Sequence, residues 1–164
     1  SPETMKLLEE GFLDCAIISD VTMGKRFAYH QLKSIQDIFV SRRKSPHTVM
    51  ALQDLSLEPM LLLEKKNATR DHLDTFLRSN QIELNVDIEI SSMEFLVEFA
   101  KIGLGVASVI GDFVQEEIEE GTLYEWCTKP QIPVRSIGLL YDLERSQSIA
   151  CQTFIDFMIE RKEI

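Results

Sequence analysis

The sequence predicts an α/β fold. Three observations carry this expectation. Apolar runs of strand length alternate with amphipathic segments of helix length along almost the whole chain. Residues suited to helix starts stand in front of several of the amphipathic segments, and glycines stand behind them. Hydrophobic residues make up 45% of the 164 positions, enough for a core, and 7 Gly and 5 Pro are too few for a fibrous or disordered chain. Regular alternation of this kind predicts a mainly parallel sheet, with ligands at the carboxyl ends of its strands.

The elements follow in order. Ser1 is placed to cap an opening helix, Pro2 suits its first turn and Glu3 complements its positive end. Gly11 stops that helix, and Phe12 to Ile18 reads as a buried strand. Asp20 to Arg26 is turn-like, and a strand pair is expected at Phe27 to Leu32 and Gln36 to Ser41. After the polar break Arg42 to Pro46, a short helix at Met50 to Leu55 leads to a strand at Pro59 to Leu63. Thr69 is expected to cap a helix running to Ser79, with Leu73, Phe76 and Leu77 on its apolar face. A strand at Leu84 to Ile90 alternates in part. Ser91 and Glu94 form an S-x-x-E capping box for the next helix, which Gly103 ends. A strand at Leu104 to Ile110, a helix at Asp112 to Glu120, strands at Thr122 to Trp126 and Val134 to Tyr141, and a helix at Arg145 to Lys162 complete the chain. A chain that begins on a helix has no earlier strand to start its first crossover, so a partner strand is expected to be missing.

Composition excludes several functions. The formal net charge of −10 repels phosphate backbones, so the chain by itself is a poor nucleic-acid binder. The short basic runs Lys25-Arg26, Arg42-Arg43-Lys44 and Lys65-Lys66 read as solvated loop faces. Cys15, Cys127 and Cys151 form no C-x-x-C pair; an odd, sparse set fits a reducing cytoplasm, and neither a disulfide framework nor a structural zinc site is expected. The first residues lack the pattern of a signal peptide, and no apolar run approaches the ~18 residues of a membrane span.

Catalytic patterns are equally sparse. Gly103-Leu104-Gly105 follows a helix and precedes a strand, the reverse of a dinucleotide-binding loop, and Ser108 stands where a third glycine would be. His30, His47 and His72 lie outside the known metal-ligand spacings, and no G-x-S-x-G elbow occurs. Paired carboxylates such as Glu116-Glu117 and Glu119-Glu120 read as solvated helix surface. No catalytic residue, metal or cofactor is assigned. More informative are Asn67-Ala68-Thr69 and Ser91-Ser92. They place amide or hydroxyl groups beside free backbone N–H groups, an arrangement suited to a carboxylate or other small anion as well as to plain capping.

The order of segments resembles the effector-binding domain of LysR-type transcription regulators over nearly the whole chain. Gly11-Phe12-Leu13-Asp14-Cys15-Ala16-Ile17 resembles the family's G-x-L-D-x-A-I strand, and Leu32 to His47 its next strand pair, with Pro46-His47 in the reverse of the usual His-Pro order. Leu52-Gln53-Asp54-Leu55 resembles the following short helix, and Thr69-Arg70 with Leu73 the ligand-side loop and helix. Ile102-Gly103-Leu104-Gly105-Val106-Ala107 resembles the G-L-G-V/I signature, and Glu120-Gly121-Thr122-Leu123 the later G-x-L turn. The resemblance implies a two-lobed fold similar to type 2 periplasmic binding proteins, with the first lobe incomplete at its N-terminus. It places lobe I at 1–45, lobe II at 46–140 and a return helix of lobe I at 141–164, with crossings near Ser41 to Pro46 and Val134 to Asp142. It further implies a small, anionic effector between the lobes, with Ser41, Asn67, Thr69, Ser91 and Ser92 as candidate contacts. DNA would be bound only through a helix-turn-helix domain absent from this sequence, and the whole regulator would be a cytoplasmic homodimer or tetramer. The alternatives are a solute-binding protein of a transporter with the same fold and a small α/β enzyme.

Overall fold

A computed structural model describes residues 2–19 and 24–160. Among these the chain divides into two compact units, one formed by residues 1–35 and 135–164 and the other by 36–134. The expected cap at Ser1, part of the turn at Asp20 to Arg26 and the expected helix end at Lys162 lie outside the described residues.

Unit 1 is built on three antiparallel strands in the order β1 (Cys15–Ser19), β10 (Arg135–Asp142), β2 (Phe27–Ile35). A bulge interrupts the β10–β2 register between Ile137 and Gly138. Successive residues of a strand point to opposite faces, and the middle strand shows this plainly. Leu140 packs with Leu8 of helix α1 (Pro2–Glu10) and with Phe27. Its neighbour Leu139 packs with Cys151 and Ile155 of helix α5 (Ile149–Glu160). Gly11 ends α1 at φ 78°, a conformation in which a side chain would also meet the Arg145 guanidinium. The buried carboxylate of Asp142 accepts from Arg26 Nε and Nη2 at 2.9 and 2.7 Å, which ties the end of β10 to the start of β2. Those hydrogen bonds hold the Asp142 carboxyl below the usual carboxylate range, against the opposing effect of its burial.

Unit 2 carries a five-stranded sheet in the order β6 (Val86–Ile90), β5 (Met60–Leu63), β7 (Val106–Ile110), β3 (Asp37–Ser41), β8 (Tyr124–Glu125). Strand β5 runs parallel to both β6 and β7, whereas β3 is antiparallel to β7 and β8. The Met-Leu-Leu-Leu run of β5 is buried throughout because helices cover both faces of the sheet. Met60 and Leu62 meet Leu73, Phe76 and Leu77 of helix α2 (Ala68–Ser79), together with Phe39 and Trp126. On the other face, Leu61 and Leu63 meet Leu96, Val97 and Ala100 of helix α3 (Met93–Lys101). Val114, which precedes the short helix α4 (Gln115–Glu119), joins the same cluster. A minor parallel pair joins β4 (Met50–Ala51) to β9 (Thr128–Lys129).

The α/β class and two-lobed organisation stand, but several details of the sequence reading are corrected. The sheets are not mainly parallel, since unit 1 is wholly antiparallel and unit 2 is mixed. The expected pair at Phe27 to Leu32 and Gln36 to Ser41 is not a pair. Strand β2 bonds to β10 and β3 bonds to β7 and β8, so the chain passes from one sheet to the next at Gln36. For that reason the units divide at 35/36 and 134/135, where the expectation had lobe I running to residue 45 and returning at 141. The expected helix at Met50 to Leu55 is strand β4 followed by a 3-10 turn at Leu52–Leu57. The expected helix at Asp112 to Glu120 is a 3-10 turn at Gly111–Phe113 followed by the five residues of α4.

Candidate functional site

The parallel core of unit 2 places two helix starts side by side. Strands β5 and β6 are in register at Leu63 and Ile90, their last residues, and Glu64 N–H donates to the Ile90 carbonyl at 3.0 Å. The loop 64–67 leading to α2 therefore lies beside Ser91-Ser92, which lead to α3. Asn67 is the N-cap of α2, its side-chain oxygen accepting from Thr69 N–H at 2.9 Å. Ser92 is the N-cap of α3 and accepts from Phe95 N–H at 3.4 Å. Both caps sit where the sequence placed helix starts, although on different residues: Asn67 rather than Thr69, and Ser92 rather than Ser91. The cap must stand in extended backbone one residue before the helix, and Asn67 and Ser92 have ψ of 135° and 125°. Thr69 is buried within the first turn of α2, and Ser91 is exposed at the end of β6.

One arginine braces this end of the sheet. Arg70, 5% exposed, donates from Nη1 to the Leu63 carbonyl and to the Glu89 carboxylate, both at 2.7 Å, and from Nε to Asp74 at 2.8 Å. Burial works against its charged form, but the hydrogen bonds to Asp74 and Glu89 outweigh it and raise the guanidinium above its ordinary value. Its charge is thus balanced inside the fold, while Lys65 and Lys66 remain exposed in the loop ahead of Asn67. Lys66 holds φ at 75°, a left-handed conformation uncommon for a side-chain-bearing residue and often found where a loop is shaped for contact.

Sequence reasoning missed a second polar group at this end. Gly111 N–H, just beyond β7, donates to the Gln36 carbonyl at 2.8 Å, and Gln36 Nε2 donates to the Ile132 carbonyl at 2.5 Å. His72 Nε2 lies 3.0 Å from the Pro133 carbonyl and 4.0 Å from the carboxylate of buried Asp37. The residues at which the chain enters and leaves unit 2 are thereby gathered at the carboxyl end of β7. A polar Gln-Asp pair opening an apolar strand was the only signal available beforehand.

Ser41 does not belong with the others. Strand β3 is antiparallel to β7, with Asp37 opposite Ile110 and Val40 opposite Ala107, so Ser41 lies at the amino ends of β5 and β7. It is 2% exposed and its hydroxyl donates to the Gly105 carbonyl at 3.0 Å. The antiparallel direction, which the apolar pattern of β3 cannot reveal, sends it to the far end of the sheet from Ser91.

Two capped helix starts present backbone N–H groups and short polar side chains beside exposed Lys65 and Lys66, with exposed Glu64 and Glu94 at the same ends. Among the described residues no group of three His, Cys, Asp or Glu side chains is placed to hold a metal ion, and no helix is long and apolar enough to cross a membrane.

The chain resembles known proteins in sequence and in fold. It is 30% identical over 142 residues to a hydrogen peroxide-inducible genes activator of Dickeya chrysanthemi, covering 82% of this chain and 45% of that protein. It is 26% identical over 114 residues to the HTH-type transcriptional activator CmpR of Synechocystis, covering 70% of this chain and 38% of that protein. The chain thus spans less than half the length of these relatives. Among solved structures, the regulatory domain of CcmR from Synechocystis in complex with 2-PG superposes with a TM-score of 0.82 at 16% identity, covering 98% of this chain and 79% of that one. The effector-binding domain of QuiR in complex with shikimate gives 0.75 at 15% identity, covering 99% and 78%. Residues 1–163 match the LysR substrate binding domain, and the chain belongs to that family.

Proposed function

We propose that this chain is the effector-sensing part of a LysR-type transcription regulator, and that its effector is a small anion bound at the carboxyl ends of β5 and β6. The carrying observation is the registered pair Leu63 and Ile90, which brings the starts of α2 and α3 to one place. Asn67, Thr69, Ser91 and Ser92 supply polar groups there, and Ser41 is left out of the set. The relatives named above are transcriptional activators, which favours a regulator over the solute-binding protein of a transporter and over an enzyme. In the full regulator a helix-turn-helix domain binds DNA, the assembly is a homodimer or tetramer, and the protein works in the cytoplasm. The effector acts by favouring one conformation over another, which requires that it bind the two with different affinity.

The 2-PG and shikimate bound by the CcmR and QuiR domains are suitable first probes, alongside a panel of small carboxylates and phosphates. Titration calorimetry identifies a binder; Ser91→Ala then weakens it about tenfold, the worth of one hydrogen bond to a charged group, without shifting the urea midpoint. Unchanged affinity in that variant would remove Ser91 from the site.

A further inference from the structure

The basic run Arg42-Arg43-Lys44, read from sequence as solvated loop, is not uniform in the fold. Arg43 is fixed on three sides. Its guanidinium pairs with the Glu58 carboxylate and lies 4.8 Å over the Trp126 ring, and its carbonyl accepts from Trp126 Nε1 at 2.9 Å. Lys44 sits 5.2 Å over the Tyr124 ring. Arg42 is different: it is exposed, and no carboxylate pairs with it among the described residues. Its side chain runs past Gly103, where an added Cβ would stand 3.6 Å from Arg42 Cδ.

Beneath these arginines is a hollow of about 300 Å³, lined by Ser41, Arg42, Arg43, Pro59, Gly103 and Gly105. Its floor is bare of side chains for a reason. Gly103 holds φ at 85°, and a Cβ on Gly105 would come within 2.2 Å of the Pro59 carbonyl. The Ser41 hydroxyl is committed to the Gly105 carbonyl and fixes the floor. The charge here opposes that of the chain as a whole. Arg42 and Arg43 line the hollow and Glu58 pairs with Arg43, so the Arg42 charge stands unbalanced there, in a chain of net charge −10.

We propose that this hollow is a second ligand site, taking the phosphate group of a small molecule at the opposite end of the unit 2 sheet from the effector site. Arg42 supplies a free planar fork that grips two oxygens, and Arg43, held by Glu58 and Trp126, supplies a fixed second charge. A phosphate carries oxygens on several sides, so it can accept from both guanidinium groups at once. The size of the hollow admits a small phosphorylated metabolite as well as inorganic phosphate.

Trp126 is the single tryptophan of the chain, is buried, and touches Arg43, so its fluorescence reports on this hollow. Inorganic phosphate is titrated at constant ionic strength, with sodium chloride as the balancing salt. The expected result is a saturable change in Trp126 emission that Arg42→Gln weakens about tenfold or more, with its urea midpoint unchanged because Arg42 is exposed. A linear drift equal to that caused by chloride would overturn the proposal, as would a saturable change of undiminished affinity in Arg42→Gln, which would place the anion elsewhere.

Discussion

The two ends of the unit 2 sheet are both polar but built from opposite parts. At the carboxyl ends of β5 and β6 the chain turns into helices, so positive potential comes from backbone N–H groups ordered by Asn67 and Ser92. At the amino ends the same helices finish. Their carbonyl ends carry negative potential, so positive charge has to come from side chains, Arg42 and Arg43, set over glycine turns. The comparison teaches that strand direction decides whether positive potential at an end of the sheet comes from the backbone or from side chains.

Three substitutions sharpen this contrast. The largest effect is expected at the amino end, where Gly105→Ala drives a methyl group into the Pro59 carbonyl, a backbone group rather than the yielding end of a side chain. Unit 2 should lose roughly 3 kcal/mol or more by urea unfolding, since backbone overlap falls among the severe mechanisms. Retention of full stability would mean that the floor of the hollow can open. At the carboxyl end, Asn67→Ala removes a cap and should cost about 1 kcal/mol in the same measurement, with effector affinity falling too. If stability falls while affinity holds, the start of α2 is structural only. The smallest effect is expected between the ends, at Ser108 on β7, whose buried hydroxyl has no hydrogen-bond partner among the described residues. Ser108→Ala should be neutral or stabilising by up to about 1 kcal/mol, because an unsatisfied hydroxyl is removed. A clear destabilisation would show that the hydroxyl has a partner.

Some of the geometry around the candidate site was legible in the sequence and some was not. Helix starts near Asn67 and Ser91 could be read because capping chemistry is local, needing only a polar side chain within three residues of the free N–H groups. The one-residue shifts, Asn67 for Thr69 and Ser92 for Ser91, arise because several adjacent residues can cap and backbone geometry picks one. Arg70 could not be assigned, since its partners Leu63 and Glu89 lie on two different strands. Asp37 and His72 were likewise invisible as a pair, being 35 residues apart and brought within 4.0 Å by packing of α2 against the sheet.

By itself the sequence determined the alternation of strands and helices, the glycine stops at Gly11, Gly103 and Gly121, and the strand ending at Leu63, because each depends on neighbours along the chain. By contrast Phe12 to Ile18, expected to be a buried strand, leaves Phe12 and Ile17 exposed. Tertiary structure alone decided that β3 runs against β7, which puts Ser41 at the opposite end of the sheet from the other candidate residues. It also decided that β2 and β3 belong to different sheets. The physical reason is the same in both cases. A strand's apolar pattern records which faces are covered, whereas its partner and direction are set by hydrogen bonds to residues far along the chain.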